Sequence, residues 1–176
     1  RLARAGKTAF LLGSLLEPGP GGKFYNTSIL ISESGKIAAR YRKIHLFDNR
    51  LKNAKSRESR HIVPGRKVVT GKVGGIRAGL AVCYDLRFPE LFRRLAETGA
   101  RIIFLPANFT YETGKAHWEV LLRARAIENQ VFIIAPAQTG IHPSTGIRSF
   151  GTSLIVDPWG TVLRKGSPSK EQVLIA

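Results

Sequence analysis

Methionine is absent from all 176 residues, and cysteine occurs once, as Cys83. A single thiol excludes an internal disulfide and suits a reducing compartment, so a cytoplasmic location is the expectation. The four histidines are scattered and form no Cys/His cluster at zinc spacing, so neither a metal nor another cofactor is expected. No apolar run approaches the ~18 residues that a membrane helix needs, and no signal peptide is visible, which removes the membrane from the expected partners. Acidic residues are scarce: 12 Asp and Glu stand against 28 Lys and Arg, a formal net charge of +16. Such an excess can mark a nucleic-acid binder. Here the bases are dispersed, with no interleaved aromatics on which bases could stack, so nucleic acid is not an expected partner. Repeats and low-complexity linkers are also missing, and 43% hydrophobic content is ordinary for a globular chain. Residues 1–176 therefore read as one domain with a real core.

The chain is organised around the stretch from Gly79 to Gly99. Ile76 to Val82 is a short apolar run, β-branched at both ends, and reads as a buried strand. Pro89 is a favoured first helical residue, Glu90 sits in the first turn, and Gly99 is placed to end the helix. Leu91, Phe92, Leu95 and Ala96 give that helix an apolar stripe. Cys83 thus stands at a strand-to-helix corner, where a thiol is exposed and backbone N–H groups can face the carbonyl it attacks.

Around this corner the other elements follow in order. Thr8 to Leu16 predicts a buried strand, and Glu17 to Gly22 a loop. Tyr25–Ser32 and Lys36–Ile44 predict a hairpin with Asn26, Ser28 and Leu30 on one face. Asp48 to Pro64 is polar and irregular, dense in bases at Arg50, Lys52, Lys55, Arg57 and Arg60, and reads as a long loop. Two strands, Lys67–Val73 and Gly75–Cys83, meet at a tight turn. Arg101–Pro106 and Gln130–Ala135 read as buried strands, and Ser153–Val156 pairs with Thr161–Leu163. Lys115 to Asn129 reads as a helix with Leu121, Ala124 and Ile127 on its stripe. Asn108, Phe109 and Thr110 fall just past a strand end, where α/β sheets place their ligands, and Asn108 could donate to a substrate carbonyl. The βα, βα order with flanking antiparallel hairpins predicts an α/β fold, a two-layered mixed sheet with helices outside.

Three long blocks carry a resemblance. Cys83-Tyr-Asp-Leu-Arg-Phe-Pro-Glu90 resembles the nucleophile motif of the nitrilase, or carbon–nitrogen hydrolase, superfamily in its amidase branches. Tyr41-Arg-Lys-Ile-His-Leu-Phe-Asp48 resembles the lysine motif, and His117 to Asn129 the helix after the nucleophile. Gly151 to Gly160 matches a late block, so the likeness covers nearly the whole chain. Tyr84-Asp85 after the cysteine, and Arg87 to Glu90 beyond it, point to omega-amidase and deaminated-glutathione-amidase relatives rather than nitrilases proper. The implied fold is an α-β-β-α sandwich. Arg1 to Gly6 reads as the tail of a helix and Gln172 to Ala176 as mid-strand, so the domain is expected to be partial at both ends.

The resemblance implies a catalytic set of Cys83 as nucleophile, Lys43 as stabiliser of the tetrahedral intermediate, and Glu119 aimed into the site and bonded to the lysine. The Tyr84 N–H shares the oxyanion. A free thiol is only a few per cent thiolate at neutral pH, so a base is needed. The family takes it from a glutamate on an opening strand, and Glu17, Glu33, Glu58 and Glu90 do not match that motif. Glu58-Ser59 with Pro64-Gly65 instead fits the loop at the pocket rim. The expected reaction is hydrolysis of a small amide with release of ammonia, and the basic rim favours a carboxylate-bearing one. A homodimer or higher homo-oligomer is implied. The alternatives are an N-carbamoyl amino-acid or β-ureidopropionase-type hydrolase, and a binding protein of the same fold with a degenerate site.

Overall fold

The computed structural model describes residues 1–51, 54–143 and 145–176, with side chains described outside 49–51 and 54–56. After a single helical turn, α1 (Leu2–Ala5), the chain enters β1 (Phe10–Pro18), β2 (Phe24–Ile31) and β3 (Ile37–Arg42). These pair antiparallel in the order β1-β2-β3. The β2–β3 hairpin is the predicted one, closed by a turn in which the Gly35 N–H donates to the Ser32 carbonyl at 2.8 Å.

The stretch expected to be one irregular loop is more ordered than that. It holds a short antiparallel pair, β4 (Asp48–Leu51) and β5 (Ala54–Arg57), then a 3-10 turn at Glu58–Arg60. Its polar composition carried no periodicity that would have separated a small surface hairpin from a loop.

The second sheet has six strands: β6 (Thr70–Val73), β7 (Ile76–Leu80), β8 (Ile102–Phe104), β9 (Phe132–Ala135), β10 (Leu154–Val156) and β11 (Val162–Lys165). Their spatial order is β11-β10-β9-β8-β7-β6. β7, β8 and β9 run parallel, and the outer strands are antiparallel to their neighbours. Two helices make the parallel crossovers, α2 (Pro89–Glu97) and α3 (Tyr111–Asn129). Pro89 occupies the first turn of α2, and Gly99, with φ 87°, follows its end as the sequence predicts.

α3 starts four residues before the expected Lys115 and turns a different face inward. Trp118, Leu122, Arg125, Ala126 and Asn129 are buried, whereas Ile127 of the expected stripe is half exposed. The polar residues disguise the true stripe. Arg125 is accommodated because its Nε donates to the Leu86 carbonyl at 3.0 Å and its Nη1 pairs with Glu128 at 3.0 Å. The helices pack on β7, β9 and β10 and on each other. The core runs from Leu30 and Tyr41 of the first sheet through Leu80, Ile103 and Ile133 of the second to Phe92, Trp118 and Leu122 of the helices.

The sheets meet closely at Gly71, where an added Cβ would lie 2.6 Å from Leu30 Cδ2 and 3.1 Å from the Ala39 Cβ. Glycine is what lets the two layers touch there. One strand departs from expectation. The sequence predicts a buried β1, yet Leu12 and Leu16 are 43% and 61% exposed. An apolar run reports what a strand could bury, not whether a neighbour covers it, and β1 lies at the edge of its sheet.

Candidate active site

Three parallel strands deliver their C-terminal ends to one cavity of about 1180 Å³. β7 leads into Val82 and Cys83, β8 into Pro106, Ala107 and Asn108, and β9 into Pro136, Ala137 and Gln138, all of which line it. Side chains carried past the carboxyl ends of parallel strands converge on such a crevice.

Cys83 opens a 3-10 turn, Cys83–Arg87, with φ 51°. A positive φ is uncommon for a residue with a Cβ and costs on the order of 1 kcal/mol or more. The corner is held by backbone bonds: the Cys83 N–H donates to the Pro106 carbonyl at 3.0 Å, and the Asp85 N–H to the Val82 carbonyl at 3.1 Å. The Tyr84 N–H lies between these two in the first turn, where helical N–H groups have no intrahelical acceptor. The thiol is half-buried and contacts the Asn108 carbonyl at 3.6 Å. Burial pushes the Cys83 thiol up, as do the Glu58 and Asp85 charges, while the Lys43 ammonium and the Asn108 contact pull it down. Its net displacement is upward, so near pH 7 the sulfur carries its proton.

Lys43 follows β3 and lines the same cavity. Its backbone is pinned on both sides, the N–H donating to the Asn26 carbonyl and the carbonyl accepting from the Gly65 N–H, each at 2.8 Å. Gly65 has no room for a side chain, because a Cβ would sit 2.0 Å from the Arg42 carbonyl oxygen. The Lys43 side chain is 3% exposed, and its Nζ donates to Glu58 Oε2 at 2.5 Å. Glu58, expected only at the pocket rim, is the acid that pairs with Lys43. Its carboxylate also accepts from the Phe47 N–H at 2.7 Å and from Asn26 Nδ2 at 3.2 Å. The signal in the sequence was faint: one acid between Arg57 and Arg60 in a basic stretch.

The resemblance implies Glu119 as that partner, but Glu119 pairs elsewhere. Its carboxylate accepts from Lys165 Nζ at 2.8 Å with both side chains well exposed, on the outer surface of α3. The inward positions of α3 are taken by Trp118 and Leu122, so its neighbour at 119 points away. Phe109 and Thr110 also lie elsewhere. Phe109 is buried against Trp118 with ring centroids 4.9 Å apart, and Thr110 bonds Thr113 through its hydroxyl at the start of α3. Asn108 does line the cavity, and so do the rim bases Arg57, Arg60 and Lys170. Arg50, Lys52 and Lys55 fall outside the described side chains.

A buried ammonium beside a thiol, at a strand corner above a cavity, is an arrangement that can attack a carbonyl and hold the resulting oxyanion. The protein family described as carbon-nitrogen hydrolase matches residues 1–176. The chain belongs to the carbon–nitrogen hydrolase family. Among its relatives in that family is the deaminated glutathione amidase of Synechocystis sp., 47% identical over 150 residues, which are 82% of this chain and 54% of the relative. The chain thus spans about half the length of that relative. The fold agrees with the C. elegans NitFhit protein at a TM-score of 0.87 and 40% identity, over 96% of this chain and 42% of that one. An amidase from Nesterenkonia sp. AN1, with acrylamide joined by Michael addition at its active-site cysteine, matches at a TM-score of 0.81 and 29% identity, over 96% of this chain and 62% of that one. Among the described residues no helix is long and apolar enough to cross a membrane.

Proposed function

We propose that the protein hydrolyses the amide bond of a small, carboxylate-bearing substrate through a Cys83 thioester. The observation that carries this reading is the convergence of Cys83 and the buried, Glu58-paired Lys43 on one cavity. In the first step a base takes the Cys83 proton and the sulfur bonds to the amide carbon, while the carbonyl π pair moves onto oxygen. Lys43 and the Tyr84 N–H stabilise that oxyanion; one such fixed donor is worth roughly 10²–10³ in rate. Collapse restores the carbonyl and breaks the C–N bond, and the nitrogen leaves with a proton from the same base, as ammonia for a primary amide. Water then attacks the thioester carbon, and the thiol departs with its proton restored. Glu58, engaged by three donors, serves as counterion to Lys43 rather than as the base, a role that the family resemblance gives to a glutamate on an opening strand.

Arg57, Arg60 and Lys170 on the cavity wall favour an anionic substrate, and the deaminated glutathione amidase relatives are named for an amide substrate. The test is mass spectrometry of the full-length polypeptide mixed with such an amide. An acyl adduct on Cys83, and loss of turnover in Cys83→Ala, are the expected results. Turnover that survives the alanine substitution removes Cys83 as nucleophile.

A further inference from the structure

We propose that Asp85 is a positioning residue of this site, and that with Tyr41 and His45 it clamps the lysine segment to the nucleophile corner. The inference rests on the reading of Lys43 and Cys83 as the reacting pair.

Asp85 is fully buried, a position where a carboxylate is costly unless donors surround it. Four do. Oδ2 accepts from the Tyr41 hydroxyl at 2.7 Å and from the Val82 N–H at 2.8 Å. Oδ1 accepts from the His45 N–H at 3.1 Å and contacts His45 Nδ1 at 2.7 Å. Facing a carboxylate, that ring nitrogen is the protonated one.

Tyr41 and His45 bracket Lys43, and Val82 and Asp85 bracket Cys83. One carboxylate therefore ties both flanks of the ammonium-bearing residue to both flanks of the thiol-bearing one. Each partner is itself immobilised. Tyr41 is fully buried and its oxygen accepts from the Ile44 N–H at 3.3 Å. Burial, then the Asp85 charge, hold its phenol far above the usual range, so it remains a donor at every working pH. The His45 ring lies flat on Phe88, with centroids 3.6 Å apart and planes 7° from parallel. Catalytic geometry must be held to within about 0.5 Å, and a shared buried anion with short bonds supplies that rigidity. The Asp85 charge works against thiolate formation at Cys83. What the carboxylate supplies is placement, not activation.

The test compares Asp85→Asn and Tyr41→Phe with the parent in the full-length polypeptide. Alkylation of Cys83 by iodoacetamide is followed against pH by mass spectrometry, together with kcat and KM on a carboxylate-bearing amide and far-UV circular dichroism. The charges acting on the thiol are Lys43 after β3, Glu58 from the 3-10 turn, and Asp85 from its own turn. Tyr41→Phe keeps every one of them. If the clamp holds Lys43 to the thiol, this variant raises the alkylation midpoint by about half a pH unit or more, as the stabilising ammonium moves off. It also lowers kcat about tenfold or more with KM within about twofold, because misplacement acts on the chemical step. Asp85→Asn is expected to raise the midpoint even though it removes an anion, whereas a merely electrostatic Asp85 predicts a downward shift. A folded Tyr41→Phe with parental midpoint and kcat, or a downward shift in Asp85→Asn, overturns the clamp. Tyr41→Phe loses one hydroxyl from an intact ring, so the test stands if Asp85→Asn fails to fold. Alkylation needs no substrate. A midpoint that shifts upward in a protein inactive on amides removes the proposed function and keeps the clamp.

Discussion

Lys43 and Glu58 meet at 2.5 Å across fifteen residues of sequence, with 3% and 16% of their side chains exposed. The pair is nearly dry, and it faces the cavity that Cys83 lines. A buried ion pair contributes little net stability, but removing one partner leaves the other charge uncompensated, at a cost of roughly 3–5 kcal/mol.

Glu58→Gln should therefore lower kcat by about 10²–10³, comparable to Lys43→Ala, because an ammonium without its anchor no longer meets the oxyanion. The amide can still accept the Phe47 N–H, so the fold should survive. Steady-state kinetics with circular dichroism checks both halves. A loss under about tenfold in a folded variant would assign Glu58 to the rim alone.

Arg57, Arg60 and Lys170 on the cavity wall should raise the local concentration of anions, an effect screened by salt over about 8–10 Å. A carboxylate-bearing amide should exceed its neutral isostere in kcat/KM by about tenfold at low salt, and the ratio should fall as salt rises. Arg57→Gln combined with Arg60→Gln should remove most of the difference. Equal rates on the two substrates at low salt would make these bases a solvated surface.

Glu17 gives a pH dependence of another kind. The Arg42 guanidinium bonds it at 3.0 and 3.1 Å and Thr27 at 3.0 Å, which together hold its carboxyl below the usual glutamate range. The unfolded chain takes up this proton more readily than the folded one. The stabilisation is therefore complete above the ordinary glutamate pKa of about 4.3 and disappears as pH falls through the lower folded value. Glu17→Gln should lower Tm at pH 7 and flatten its decline in that acid window. Thermal melts across pH 2.5–7 (about that range suffices) measure it, and parallel curves for parent and variant would count against the bridge.

How much of this was legible in advance depended on distance along the chain. The Cys83 corner, Pro89 at the start of α2 and Gly99 after its end are encoded within a few residues of where they act, and local stereochemistry is enough to read them. Glu58 reaches Lys43 only because β4, β5 and the 3-10 turn fold back, and no periodicity announces that. The misplacement of Glu119 has the same origin. Trp118 and Glu119 are adjacent, and a rotation of about 100° per residue separates a buried ring from a surface carboxylate. Asp85 stands within the cysteine motif, but its four donors come from segments up to 44 residues away.

The φ of 51° at Cys83 restricts what else that position can hold. β-Branched side chains crowd the backbone in this conformation, so a threonine in place of the cysteine adds strain, although the chain carries one at Thr152 with φ 61°. Serine fits the backbone but offers a far less acidic proton to the same base. Glycine would relax the turn and remove the proposed nucleophile. Of the hydroxyl and thiol side chains, cysteine alone joins an unbranched β-carbon to a readily ionised proton at this left-handed position, so drift at this one codon is silent only between its two synonyms.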